Sequence, residues 1–108
     1  MDTEKLFATL QKINEPKGYY FNCDRKHTMA LLAGLLANKD RYGYMLCPCR
    51  LSKDDIEADR DIICPCDYRE ADVREFGSCY CGLYVSQAWN DQTIPRVFVP
   101  ERRPVEKC

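Results

Sequence analysis

Eight cysteines in 108 residues pose the chemical question. Six form three Cys-x-Cys pairs, namely Cys47-Pro48-Cys49, Cys64-Pro65-Cys66 and Cys79-Tyr80-Cys81. Fourteen residues separate the first two pairs and 12 separate the last two, while Cys23 and Cys108 stand alone near the ends. Thiols at this density have three common uses. The first is a disulfide framework, which needs an oxidising compartment. The start Met1-Asp2-Thr3-Glu4 has neither the basic residues nor the apolar run of a secretory leader, so a cytoplasmic chain with metal or redox chemistry is expected instead. The second is zinc, whose knuckles usually space their cysteines by two or more residues, whereas each spacer here is one residue. The third is an iron–sulfur cluster, which takes four thiolates and leaves two of the six paired cysteines over. Two spare thiols beside an electron carrier are the parts of a disulfide reductase. Zinc and iron–sulfur both stay open on this arithmetic.

The rest of the composition explains why such a staple is needed. Leu, Ile, Val and Phe total 23 of 108 residues, a thin apolar core for a domain this small. Sixteen basic and 17 acidic side chains leave a net charge of −1, which disfavours a nucleic-acid binder. No run of 18 apolar residues occurs, so no membrane span is expected. The whole chain, 1–108, reads as one domain with an irregular charged tail over about 95–108.

The cysteines must be positioned by a mainly helical frame. Leu6, Leu10 and Ile13 place an amphipathic helix over Thr3–Asn14, and Pro16-Lys17-Gly18 ends it. Tyr19-Tyr20-Phe21 reads as an extended aromatic link. Asn22 or Asp24 caps a second helix that runs to about Asn38. Its stretch Met29–Ala37 is apolar nearly all round, which predicts a central, buried helix. Ser52-x-x-Asp55 resembles a capping box for a short helix over Lys53–Asp59, and Asp67-x-x-Glu70 resembles one for a helix that stops at Gly77. That last helix carries the Glu70–Arg74 pair and has cysteine pairs two and three at its ends. A helical turn is expected over Ser86–Asp91. Pro95, Pro100 and Pro104 keep the tail irregular, and signals for a conventional sheet are few.

Two Cys-Pro-Cys pairs followed by Cys-x-Cys and an apolar aromatic segment resemble the catalytic (beta) chain of ferredoxin:thioredoxin reductase. The central helix and the approach Tyr42–Leu46 are also similar to that family, and the likeness runs from about Thr3 to Arg103. It implies a small, mainly α domain folded around a [4Fe–4S] cluster. By the resemblance Cys47, Cys64, Cys66 and Cys79 are the ligands, and Cys49 and Cys81 form a redox-active disulfide. Electrons are then expected to arrive one at a time from ferredoxin or a similar donor protein. The first opens the disulfide with the Cys81 sulfur retained at the cluster, and Cys49 is left as the exchange nucleophile toward a thioredoxin or glutaredoxin-like acceptor. Two departures stand out. Tyr80 occupies the place where chloroplast and cyanobacterial members carry a histidine that handles protons; a phenol is a poor proton donor at neutral pH, so at this site position Tyr80 is expected to pack or to hydrogen-bond a thiolate instead. The segment between pairs two and three is also about one helical turn longer than the chloroplast pattern. The chain looks more like the short, self-contained members of anaerobic bacteria and archaea, which puts the need for the plant enzyme's variable subunit in question. A zinc-binding module and a one-electron iron–sulfur carrier are the alternatives outside the reductase class.

The remaining chemistry-bearing residues read blandly. Cys23 is expected to be a buried small hydrophobe, Cys108 an incidental thiol, and His27 an ordinary surface or core residue. Tyr19, Tyr20, Phe21 and Trp89 are expected in the core. Arg102, Arg103 and Lys107 read as solvated charges, with an acidic ferredoxin as their other conceivable partner. Arg50 reads equally as a cation that favours the Cys49 thiolate or as a solvated surface residue.

Overall fold

The computed structural model describes residues 2–107, so Cys108 lies outside the described residues. Among the described residues five α-helices carry the chain: α1 (Thr3–Asn14), α2 (Arg25–Tyr42), α3 (Ile56–Asp59), α4 (Arg69–Phe76) and α5 (Gln87–Asn90). Two short strands, β1 (Tyr20–Phe21) and β2 (Tyr84–Val85), pair antiparallel with Tyr20 opposite Val85 and Phe21 opposite Tyr84. The expected mainly α architecture is therefore present. The extended aromatic link is one edge of a small sheet that joins the start of α2 to the chain beyond the third cysteine pair.

Helix α1 starts where Asp2 accepts a hydrogen bond from the Lys5 backbone N–H at 2.8 Å. Its buried face differs from the expected one. Leu6 is buried and Leu10 packs on the core, but Ile13 is half exposed and Asn14 is buried in its stead. Asn14 earns that position by hydrogen bonding. Its amide donates to the Leu10 carbonyl (2.8 Å) and the Tyr84 hydroxyl (3.2 Å), and its side-chain oxygen accepts from Arg69 (2.7 Å). A buried amide with every group matched is tolerated.

Asp24 caps α2, accepting from the His27 N–H at 3.2 Å. The helix runs one turn past Asn38 to Tyr42 and stops at left-handed Gly43. It buries Thr28, Leu31, Leu32 and Leu35 along one face, while Ala30, Ala33 and Ala37 are exposed. The expectation of a helix buried all round is thus corrected. Alanine favours helix without requiring burial, so the apolar run concealed an ordinary two-faced helix.

Neither expected capping box forms. The Ser52 hydroxyl donates to Asp59 (2.5 Å) and Asp55 caps α3 instead, so that helix begins at Ile56 rather than Lys53. Tyr68 precedes α4 with no side-chain cap, and Asp67 serves in a backbone bond to Asp61. Helix α4 ends at Gly77 with φ +82°, where an added Cβ would fall 2.5 Å from Ile94 Cδ1. Ser86 caps α5 through the Trp89 N–H at 3.1 Å.

The core gathers Leu6, Phe21, Leu31, Leu32, Leu35, Val73, Leu83 and Tyr84. Phe21 lies between Phe7 (centroids 4.7 Å apart) and a stacked Tyr84 (5.5 Å). Trp89, Tyr19 and Tyr20 are only partly covered. The tail is irregular, apart from a 3₁₀ turn at Val105–Lys107, but it is not a solvated strand of charge. Val99 and Arg103 are buried. Arg103 binds Asp61 at 2.9 and 3.1 Å, and Arg102 binds Asp72 (2.7 Å) and Glu75 (2.5 Å). The expectation of free charges at 102 and 103 fails because buried carboxylates on neighbouring segments wait for them. No described helix is long and apolar enough to cross a membrane.

Candidate functional site

Backbone bonds bring the first two cysteine pairs together. Leu46 and Ile63 form an isolated antiparallel bridge. On either side of it the Cys47 N–H donates to the Ile62 carbonyl (3.0 Å) and the Cys64 N–H to the Met45 carbonyl (2.8 Å). The first pair then turns tightly, with the Arg50 N–H reaching back to the Cys47 carbonyl at 3.2 Å. This turn rests on α2 at Gly34, where a Cβ would stand 3.1 Å from Pro48 Cβ and Cγ. The glycine that interrupts the apolar run is therefore the seat of the Cys47–Cys49 loop.

The third pair arrives on the strand side. Ser78 and Val85 form a second isolated bridge, the Cys79 N–H donates to the Tyr84 carbonyl (2.9 Å), and the Gly82 N–H closes a turn onto the Cys79 carbonyl (2.9 Å). Asn22 holds this turn to the start of α2 through the Gly82 carbonyl at 3.0 Å. The Tyr84 N–H also points at the Cys79 sulfur, 3.3 Å away.

One cavity collects the result. Cys47, Cys64, Cys66, Cys79 and Cys81 line it together with Arg50 and Arg69. Cys49 opens instead onto a neighbouring surface cavity that it shares with Cys81, Tyr80 and His27. All described cysteines are free thiols. The Cys79 and Cys81 sulfurs are 3.8 Å apart, and Cys49 and Cys81 stand within hydrogen-bonding reach of each other. The six sulfurs thus differ in access. Cys47 and Cys79 are buried, Cys64, Cys66 and Cys81 are partly covered, and Cys49 is exposed.

The electrostatics follow the same division. Burial, reinforced by the neighbouring thiols at 47, 79 and 66, drives the Cys64 thiol up, and Arg69 opposes this. Burial likewise raises Cys66 against the pull of Arg50. Hydrogen bonds from Cys47 and Cys81 hold the Cys49 thiol well below its ordinary value, with the Arg50 charge assisting. Cys81 is pushed well up by its bonds to Cys47, Cys49 and Cys79 and by burial. Buried Cys79 is also lowered, to about 7, by its hydrogen bond with Cys81 against the effect of burial, so Cys49 is the accessible member of the two sulfurs that favour thiolate, which suits an exchange nucleophile.

The donor chemistry fits an iron–sulfur group. Five soft sulfurs line one cavity whose other walls supply cations and a backbone donor. Arg50 Nη1 is fully enclosed there with no hydrogen-bond partner among the described residues, and an anionic sulfur-rich core would satisfy it.

Several sequence expectations change here. Cys23 is exposed rather than buried. Its Sγ lies 3.8 Å from Arg96 and away from the cavity. Tyr80 packs its ring under the Arg50 guanidinium, 4.6 Å from carbon to centroid. Arg50 is 9% exposed, not a solvated surface residue. His27, expected to be ordinary, places Nε2 3.0 Å from the Cys81 carbonyl and lines the cavity of Cys49. The sequence held one signal for it, since it is the only imidazole in the chain. Its distance of 54 residues from Cys81 hid the contact.

Comparison with known proteins identifies the family. A family model described as ferredoxin thioredoxin reductase catalytic beta chain matches residues 1–103. The chain is 34% identical over 102 residues to the chloroplastic ferredoxin-thioredoxin reductase catalytic chain of Arabidopsis thaliana, covering 85% of this chain and 67% of that one. It is 33% identical over 102 residues to the Spinacia oleracea chain of the same name, covering 85% and 66%. The catalytic chain of Guillardia theta is 37% identical over 81 residues, covering 69% and 76%. The chain therefore spans about two thirds of the length of the first two relatives.

Proposed function

The chain belongs to the family of ferredoxin thioredoxin reductase catalytic beta chains, and on that premise we propose that it is a disulfide reductase working between a one-electron donor protein and a thioredoxin-like acceptor. The observation that carries this reading is the unequal access of the six paired cysteines. Cys47, Cys64, Cys66, Cys79 and Cys81 line one cation-walled cavity, Cys81 also reaches the neighbouring surface cavity of Cys49, and Cys49 alone of the six is exposed.

Cys47, Cys64, Cys66 and Cys79 would hold a [4Fe–4S] cluster. When bound, it supplies single-electron storage between two deliveries from ferredoxin. Four thiolates suit a polynuclear core, and the one-residue spacers are shorter than those of the usual zinc knuckle. Cys49 and Cys81 form the disulfide that is opened. Once free, the Cys49 thiolate attacks one sulfur of the acceptor disulfide. A Cys49–acceptor bond forms, the acceptor S–S bond breaks, and one acceptor thiolate leaves. Cys81 then attacks the Cys49 sulfur, restores the Cys49–Cys81 disulfide and releases the second acceptor thiol. Over one cycle two electrons and two protons enter, and one acceptor disulfide becomes two thiols. Tyr80 contributes packing against Arg50. A cytoplasmic setting belongs to the same proposal, because free thiols and their exchange chemistry need a reducing compartment.

Coupled reduction tests the reading. Reduced ferredoxin is mixed with the chain and candidate thioredoxins, and acceptor thiols are counted. The wild-type chain should generate two thiols per thioredoxin. Cys49→Ser should generate none while keeping the brown iron–sulfur absorption. Activity in that variant overturns the assignment of Cys49, and a colourless wild type with one zinc per chain overturns the cluster.

A further inference from the structure

Arg50 is covalently next to Cys49, yet its side chain turns inward and is held from the far end of the chain. Nε and Nη2 donate to the two carboxylate oxygens of Glu101 at 2.9 and 2.7 Å, a bidentate clamp. That leaves Nη1 enclosed in the cysteine cavity with no partner among the described residues. Tyr80 and Tyr68 stack on the guanidinium at 4.6 and 5.4 Å. Glu101 is fixed in turn. It accepts the Arg103 N–H at 2.9 Å, and the Arg103 side chain is bound to Asp61 and to the Ala58 carbonyl. The Arg50 contact holds the Glu101 carboxyl below its usual value, so the clamp is ionised at neutral pH.

We propose that Glu101 is a positioning residue that, through its clamp on Arg50, keeps a fixed positive charge against the cysteine cavity and so sets the reduction potential of the iron–sulfur centre. This rests on the functional reading above. A cation that cannot lose its proton, inside a low-dielectric wall, stabilises whichever redox state carries more negative charge. Arg50 therefore raises the potential. Glu101 by itself carries the opposite charge and would lower it. The two roles of Glu101 predict opposite signs. Acting by its own charge, its removal raises the potential. Acting as the clamp, its removal frees Arg50 to turn toward solvent and lowers the potential.

The test is a redox titration of the loaded protein followed by electron paramagnetic resonance, after iron and sulfide have been counted in each variant. Arg50→Met and Glu101→Gln should both shift the midpoint potential downward, and the double variant should fall no lower than Arg50→Met alone. Arg50→Lys, which keeps the charge but cannot clamp two oxygens, should lie between wild type and Arg50→Met, and it substitutes for Arg50→Met if that variant does not load. A Glu101→Gln potential at or above wild type overturns this inference alone. A wild-type chain without iron and sulfide overturns the reading beneath it.

Discussion

Helices α1 and α2 and the strand pair meet through leucine and aromatic side chains, whereas the cysteine-bearing loops between Tyr44 and Arg103 are fixed by bridges and charge. In the first region Leu32 and Leu83 are completely enclosed and Phe21 stacks on Tyr84. In the second, buried Asp59 takes bonds from Tyr44 and Ser52 (2.6 and 2.5 Å), Asp61 binds Arg103, and Glu101 binds Arg50. Apolar packing stabilises by removing area from water and asks little of geometry. Charge clamps fix direction, and they add little net stability because both partners lose their hydration. A small chain with few large apolar residues thus places most of them in the frame, and beside the buried Leu46 and Ile62 the sulfur-bearing loops are held by polar clamps. The bound metal is then expected to supply what those clamps do not.

That contrast can be broken in order of effect. The largest follows from removing iron. Amides in residues 44–103 outside Leu83–Val85 should lose protection from hydrogen exchange, while those in α1 and α2 keep a substantial part of theirs. Equal loss in both regions would erase the distinction. Next, Leu32→Ala should cost about 2–5 kcal/mol, the usual range for an enclosed leucine, and should leave the iron content of the surviving folded protein unchanged. Asp61→Ala tests the other region. It deprives the enclosed Arg103 guanidinium of its carboxylate and should cost about 3 kcal/mol, measured by anaerobic urea unfolding. Burial opposes ionisation of Asp61, but Arg103 and Tyr68 outweigh it and hold the carboxyl at about 2. A depressed carboxyl contributes fully above its unfolded value of about 4 and loses that contribution only as pH falls toward its folded one. The difference between wild type and Asp61→Ala should therefore be flat from pH 7 to 5.

The sequence disclosed the periodic and the local. Helices α1, α2 and α4, the cap at Asp24 (one of two candidates) and the stop at Gly77 all depend on neighbours within a turn. The three cysteine pairs were equally plain. The strands β1 and β2 were not, because each has two residues and finds its partner more than 60 positions away. The buried charges were hidden for a related reason. Arg103 reads as solvated, and Arg50 reads as solvated or as a support for the Cys49 thiolate, until the fold supplies Asp61 and Glu101. Cys23 erred in the opposite direction, since a lone thiol carries no mark of which side of a helix start it will face. His27 came to the site through the turn at Gly82, a contact no spacing rule encodes.

The division of the cysteines into four holders and two exchangers is the account's central claim, and Cys49→Ser measures it most directly. Iron and free thiols are counted on one anaerobic preparation, before and after reduction. Wild type should carry four irons and gain two thiols per chain. Cys49→Ser should carry the same four irons and gain none. Loss of iron in Cys49→Ser, or a gain of two thiols in it, would contradict the division.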